Sequence, residues 1–64
     1  MYTLAANRFI SVSEFKGKAY VNIREYYEAN GKQMPGKKGI SLPADQWENL
    51  KKHIAKIDKD LKSF

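Results

Sequence analysis

The sequence predicts an α+β fold in which four β segments precede a single C-terminal helix. Three observations carry that expectation. Residues 19–27 (AYVNIREYY) alternate with period two, Ala19, Val21 and Ile23 against Tyr20, Asn22 and Arg24, which is the pattern of a half-buried strand. Asn30-Gly31 is a strong hairpin signal, because both residues tolerate positive φ. Beyond Pro43 the apolar residues Trp47, Leu50, Ile54, Ile57 and Leu61 are spaced alternately by three and four, so they share one helical face.

The elements follow in order. Residues 9–15 (FISVSEF) are rich in β-branched and aromatic side chains and read as the first strand. A turn glycine sits in KGK, residues 16–18, and the alternating strand 19–27 comes next. Residues 26–28 and 32–34 flank the Asn30-Gly31 turn. PGKKG (35–39) reads as a further turn, and GISL (39–42) as a short last strand. Pro43 opens the helix, where its missing N–H costs nothing. Asp45 and Glu48 near its start and Lys59 and Lys62 near its end match the helix dipole. No repeat or low-complexity segment interrupts the chain.

With 64 residues the chain is one domain, residues 1–64, and a domain of this size is marginal alone. Small folds usually need disulfides, a metal or a partner chain. There is no cysteine, and the lone His53 cannot build a zinc site. Oligomerisation is the support that remains. One helix covers one face of a sheet, so a helix stripe headed by Trp47 is expected to pack both on its own sheet and on a twin helix. A twofold homodimer is the commonest arrangement.

The formal net charge is +5, which points to an anionic partner, nucleic acid or a membrane surface. The apolar runs are too short to span a bilayer, and MYTLAANRF has neither the basic start nor the long apolar core of a signal peptide. A soluble intracellular protein is the expectation. The charge is uneven. Residues 1–42 hold Arg8, Lys16, Lys18, Arg24, Lys32, Lys37 and Lys38 against Glu14, Glu25 and Glu28, a net +4, whereas residues 43–64 carry only +1.

Catalysis finds little support. His53 lies mid-helix, Ser11, Ser13 and Ser41 have no His/Asp partners at motif spacing, and nothing marks Glu25 and Glu28 as an acid/base pair. GKKGIS lacks the G-x-x-x-x-G-K-[ST] order and precedes a strand rather than a helix, so it is not a P-loop. The basic two-thirds, by contrast, interleaves cations with aromatics. Phe15, Lys16 and Lys18 meet at one turn, Arg24 and Tyr27 lie on the next strand, and Lys37 and Lys38 lie in the second turn. Unpaired nucleic acid needs this combination, cations along the phosphates and aromatic faces for the bases. A nearly neutral helix is a poor major-groove reader. Pattern alone leaves Phe15 and Tyr27 open to being core aromatics, and the turn lysines to being merely solvated.

FISVSEFKGKAYVNIREYY followed by MPGKKGISLPADQW resembles the C-terminal domain of the transcriptional coactivator positive cofactor 4 (p15) family, over about residues 8–61. SVSEFKGK, NIREYY and PGKKGISL-x-x-x-QW carry the resemblance. It implies a curved four-stranded antiparallel sheet followed by one helix, paired into a twofold homodimer through helices and sheets. It implies binding of single-stranded or melted DNA in preference to duplex, with no enzymatic activity and no cofactor. Activators and general transcription factors are the further partners it implies, and the nucleus the location. Phe15 matches the base-stacking aromatic of that family, Lys16 and Lys18 its backbone-contacting lysines, and Arg24 its strand arginine. Tyr27 stands where tryptophan is frequent, and Lys37 and Lys38 match the basic pair of the Pro-Gly segment. Ala6 and Ser13 occupy positions that are often basic, Met34 one that is often lysine with Lys32 nearby, and the Asn30-Gly31 hairpin is about one residue shorter. The acidic, serine-rich regulatory tail of the family has no counterpart here, which reads as a trimmed domain or a short member. The function expected is therefore a single-stranded DNA-binding coactivator domain with strong salt dependence and little sequence preference. The alternatives are a module docking acidic activator segments and a single-stranded RNA binder.

Overall fold

The computed structural model describes all 64 residues. Strands β1 (Tyr2–Ala5), β2 (Arg8–Phe15), β3 (Lys18–Ala29) and β4 (Lys32–Pro43) are followed by helix α1 (Ala44–Lys62). The strands pair antiparallel in chain order, β1-β2-β3-β4, an open sheet with two edges. The helix contacts only β3 and β4.

Local chemistry sets two of the turns. Lys16 and Gly17 have φ of 52° and 79°, and Asn30 and Gly31 have φ of 54° and 76°. Both are two-residue loops with two left-handed residues, the geometry that matches the twist of paired strands. They fix register directly, Phe15 opposite Lys18 and Ala29 opposite Lys32. The Ala6-Asn7 turn contains no positive φ, and the register shifts between Thr3 and Ala5 instead.

Two expectations change. The segment before residue 9 contributes strand β1, which the local pattern does not announce. The segments 32–34 and 39–42 are not separate strands joined by a PGKKG turn but halves of the single strand β4. On β3 only Glu25 lies between Arg24 and Tyr26, whereas on β4 Gly36, Lys37 and Lys38 lie between their partners Gly39 and Pro35. The insertion is thus a β-bulge, with one residue facing three. Its glycines serve close approach rather than turning. A Cβ at Gly39 would lie 2.7 Å from the Ile23 carbonyl oxygen and 2.8 Å from Arg24 Cα, and one at Gly36 would lie 3.0 Å from the Glu25 carbonyl oxygen. Pro35 is tolerated because β4 is an edge strand.

Pairing and alternation divide the sheet into two faces. One carries the rows Ile10-Ile23-Ile40 and Val12-Val21-Leu42. The other carries Ser11-Asn22-Ser41, Ser13-Tyr20-Pro43 and Phe9-Arg24-Gly39, with Phe15 and Lys18 at its end. The hydrophobic assembly is partial. Ile10, Val21, Ile23, Leu42, Trp47 and Leu50 are half-buried, and no residue is fully buried. The helix stripe divides in the same way, because Ile54, Ile57 and Leu61 remain exposed. The accessible surface is 5657 Å² against about 4,200 Å² for a compact monomer of this mass. The radius of gyration is 14.0 Å against roughly 11 Å for a compact chain of this length.

Candidate nucleic-acid interface

The β2–β3 hairpin presents its tip residues together. Phe15 is 64% exposed, so in the single chain it is not a core aromatic. Lys16 Nζ stands 5.4 Å from the centre of its ring, within cation–π range. Lys18 faces Phe15 across the hairpin and lines a cleft of about 560 Å³ that runs past Tyr20 to Pro43 and the first residues of α1.

Further along the sheet the bulge organises the second group. Arg24 Nη1 donates to the Gly36 carbonyl oxygen at 3.0 Å and, more weakly, to that of Lys37 at 3.4 Å. The arginine therefore holds the backbone that carries Lys37 and Lys38, both exposed. Beside it Phe9 and Tyr26 meet edge to face, with ring centres 5.3 Å apart, which stiffens the same part of the sheet. Tyr27 is set apart. It is 55% exposed, nine residues from Lys18 along β3, about 30 Å by strand rise. Alternation turns it to the side of Ile23 and Glu25, opposite to Phe15. One chain thus brings Phe15, Lys16 and Lys18 together, and Arg24, Lys37 and Lys38 together, but does not bring Tyr27 to Phe15.

The electrostatics reinforce this arrangement. Arg8 pairs with Glu25 at 3.3 Å, and the helix holds Lys51–Glu48 and Lys62–Asp58 pairs. Lys16, Lys18, Arg24, Lys37 and Lys38 have no carboxylate partner, so their charge is open to an outside anion. No helix is long and apolar enough to cross a membrane.

The polar face holds a hydrogen-bond network that no motif in the sequence marks. Ser41 Oγ donates to Asn22 Oδ1 at 2.7 Å, and Asn22 Nδ2 donates to Ser13 Oγ at 2.9 Å. The alternation of β3 puts Tyr20, Asn22 and Arg24 on one side, and the Lys16-Gly17 loop sets Ser11 and Ser13 opposite them. The signal for this network lies in the register of the strands.

Fold and site together define a small α+β domain that carries unpaired cations and exposed aromatics on an open antiparallel sheet. The chain belongs to the family described as Transcriptional Coactivator p15 (PC4), whose model matches residues 3–53. It is 48% identical over 58 residues to the RNA polymerase II transcriptional coactivator KIWI of Arabidopsis thaliana, covering 91% of this chain and 54% of that protein. It is 54% identical over 61 residues to a putative RNA polymerase II transcriptional coactivator of Caenorhabditis elegans, covering 92% of this chain and 49% of the relative. The chain thus spans about half the length of these curated relatives. Among solved structures, a crystal structure of a MoSub1–single-stranded DNA complex in phosphate buffer superposes with a TM-score of 0.92 at 44% identity, over 97% of this chain and 75% of the other. A second MoSub1–DNA crystal structure matches at the same TM-score and identity, over 80% of its chain.

Proposed function

We propose that this chain is a single-stranded DNA-binding domain of a transcriptional coactivator, acting as a homodimer in the nucleus. The observation that carries the reading is the exposed Phe15 ring with Lys16 over it and Lys18 opposite it across the hairpin, neither lysine neutralised by a carboxylate, in a chain that superposes on a protein solved with single-stranded DNA. Unpaired bases stack on the ring, each stacked base contributing about 1–3 kcal/mol. The lysines at the hairpin and the bulge follow the phosphates and release counterions. Arg24 contributes its charge while holding the bulge in shape. The role is binding rather than catalysis, and activators and general transcription factors are its protein partners. Support for the homodimer comes from the excess surface and from the exposed Ile54, Ile57 and Leu61.

The test is a titration of one labelled oligonucleotide, unpaired and as duplex, at several salt concentrations. Tighter binding of the unpaired form, weakening steeply with salt, is expected. Equal or tighter binding of duplex overturns the reading. A ribonucleotide strand of the same sequence included in the series decides between DNA and RNA.

A further inference from the structure

The sheet face that carries Phe15 has a polar floor beside the ring. Ser13, Phe15, Tyr20, Asn22 and Ser41 line one shallow groove of about 260 Å³. Its hydrogen bonds run in one direction. Ser41 donates to Asn22 Oδ1 at 2.7 Å, Asn22 Nδ2 donates to Ser13 Oγ at 2.9 Å, and the same nitrogen lies 3.5 Å from Ser11 Oγ. A hydroxyl has one hydrogen and two lone pairs. Ser41 has committed its hydrogen, so towards the groove its oxygen only accepts. Asn22 Oδ1 keeps a second lone pair next to it. Asn22 has directed its N–H groups to the two serines of β2. Ser13 accepts from Asn22, and its own O–H is still free to donate. The groove thus offers two adjacent acceptors in fixed positions and two rotatable hydroxyl donors, those of Ser13 and Tyr20.

We propose that this groove is a nucleobase subsite that reads the edge of the base stacked on Phe15 and favours an exocyclic amino group there, hence cytosine over uracil or thymine. The inference rests on the single-strand reading above. Stacking on Phe15 is indifferent to sequence, because every base has a π-face. The polar floor is not indifferent. The amino group of cytosine brings hydrogens to Asn22 Oδ1 and Ser41 Oγ, and Ser13 donates to the neighbouring ring nitrogen. Uracil places a carbonyl oxygen against the same two acceptors, where lone pairs meet lone pairs. The subsite lies on an open sheet, so the preference is superimposed on a mainly electrostatic affinity.

Deoxycytidine and deoxyuridine differ only along this edge, which makes them the probes. Oligodeoxycytidylate and oligodeoxyuridylate of equal length are titrated against the full chain by fluorescence anisotropy at mildly alkaline pH, where cytosine strands do not pair with each other. The parent protein is expected to favour the cytosine strand by about fivefold, the low end for one well-paired base edge. Asn22→Ala, and separately Ser41→Ala, are expected to bring the two affinities together while leaving the salt dependence unchanged. The two variants sit on different strands, so loss of folding in one leaves the other to answer. Equal affinities in the parent overturn the subsite and leave single-strand binding standing. A cytosine preference that survives both substitutions also overturns it. Failure of the parent to bind either strand removes the single-strand reading and the subsite together.

Discussion

Phe15 and Gly39 show how differently two residues of one sheet respond to substitution by alanine. The Phe15 ring is 64% exposed at a hairpin end and contributes little to folding. Phe15→Ala is therefore expected to leave the thermal unfolding midpoint close to that of the parent while weakening binding to an unpaired oligonucleotide by about 1–3 kcal/mol. Circular dichroism melting and an anisotropy titration check the two halves, and unfolding of the variant would make Phe15 a structural residue. Gly39→Ala is the converse case. Its Cβ would meet the backbone of Ile23 and Arg24 at 2.7 and 2.8 Å, and backbone cannot swing aside as a side chain does. A destabilisation of about 1–3 kcal/mol in urea unfolding is expected. Arg24 lies between these extremes, with one of its guanidinium nitrogens engaged by the bulge. Arg24→Lys keeps the charge but replaces the planar fork with an ammonium on a flexible stem. It is expected to weaken single-strand binding nearly as much as Arg24→Ala. Full retention of affinity in the lysine variant would show that only the charge matters.

The bulge of β4 is the element whose charge is most separable from the fold, because Lys37 and Lys38 are exposed and unpaired. Reversing both, Lys37→Glu with Lys38→Glu, is expected to lower the slope of log affinity against log salt by about 2, roughly 1 for each phosphate no longer neutralised. Phe15→Ala combined with Tyr27→Ala separates nucleic acid from an acidic peptide as ligand, since only the former needs exposed rings. This element is also the one least legible in the sequence. The Asn30-Gly31 hairpin and the helix are legible because their determinants are local, a residue pair tolerating positive φ and a three-four apolar spacing. Pro35, Gly36 and Gly39 have two meanings, a turn or a bulge pressed against a neighbour. The backbone of β3 decides between them, and residues 35–39 do not encode its position locally. Strand β1 escapes a local reading for a similar reason, since its four residues acquire meaning only by pairing with β2. Of the proposed site, Phe15 and the cations are legible as residue types, the placement of Tyr27 on the opposite side is not, and the polar groove is only half legible. The two-residue loop at Lys16-Gly17 sets Ser11 opposite Asn22, but Ser41 reaches Asn22 only after the bulge has shifted the register.

As a whole molecule the chain exposes more surface than its mass requires, and the exposed share includes Ile54 and Ile57, each about half open to water. Sedimentation at micromolar concentration is expected to give a dimer, and Ile54→Glu with Ile57→Glu to give monomer or unfolded chain. A stable monomer of the parent would remove the dimer. The bulge has a further consequence at this scale. An open sheet has two free rims, and β4, 12 residues long, forms the longer one. An uninterrupted rim of that length would serve as a template for other extended chains. Pro35 contributes no N–H to it, and the inserted residues break its spacing between Pro35 and Gly39. The insertion that carries Lys37 and Lys38 thus also makes this rim a poor template for fibrous growth.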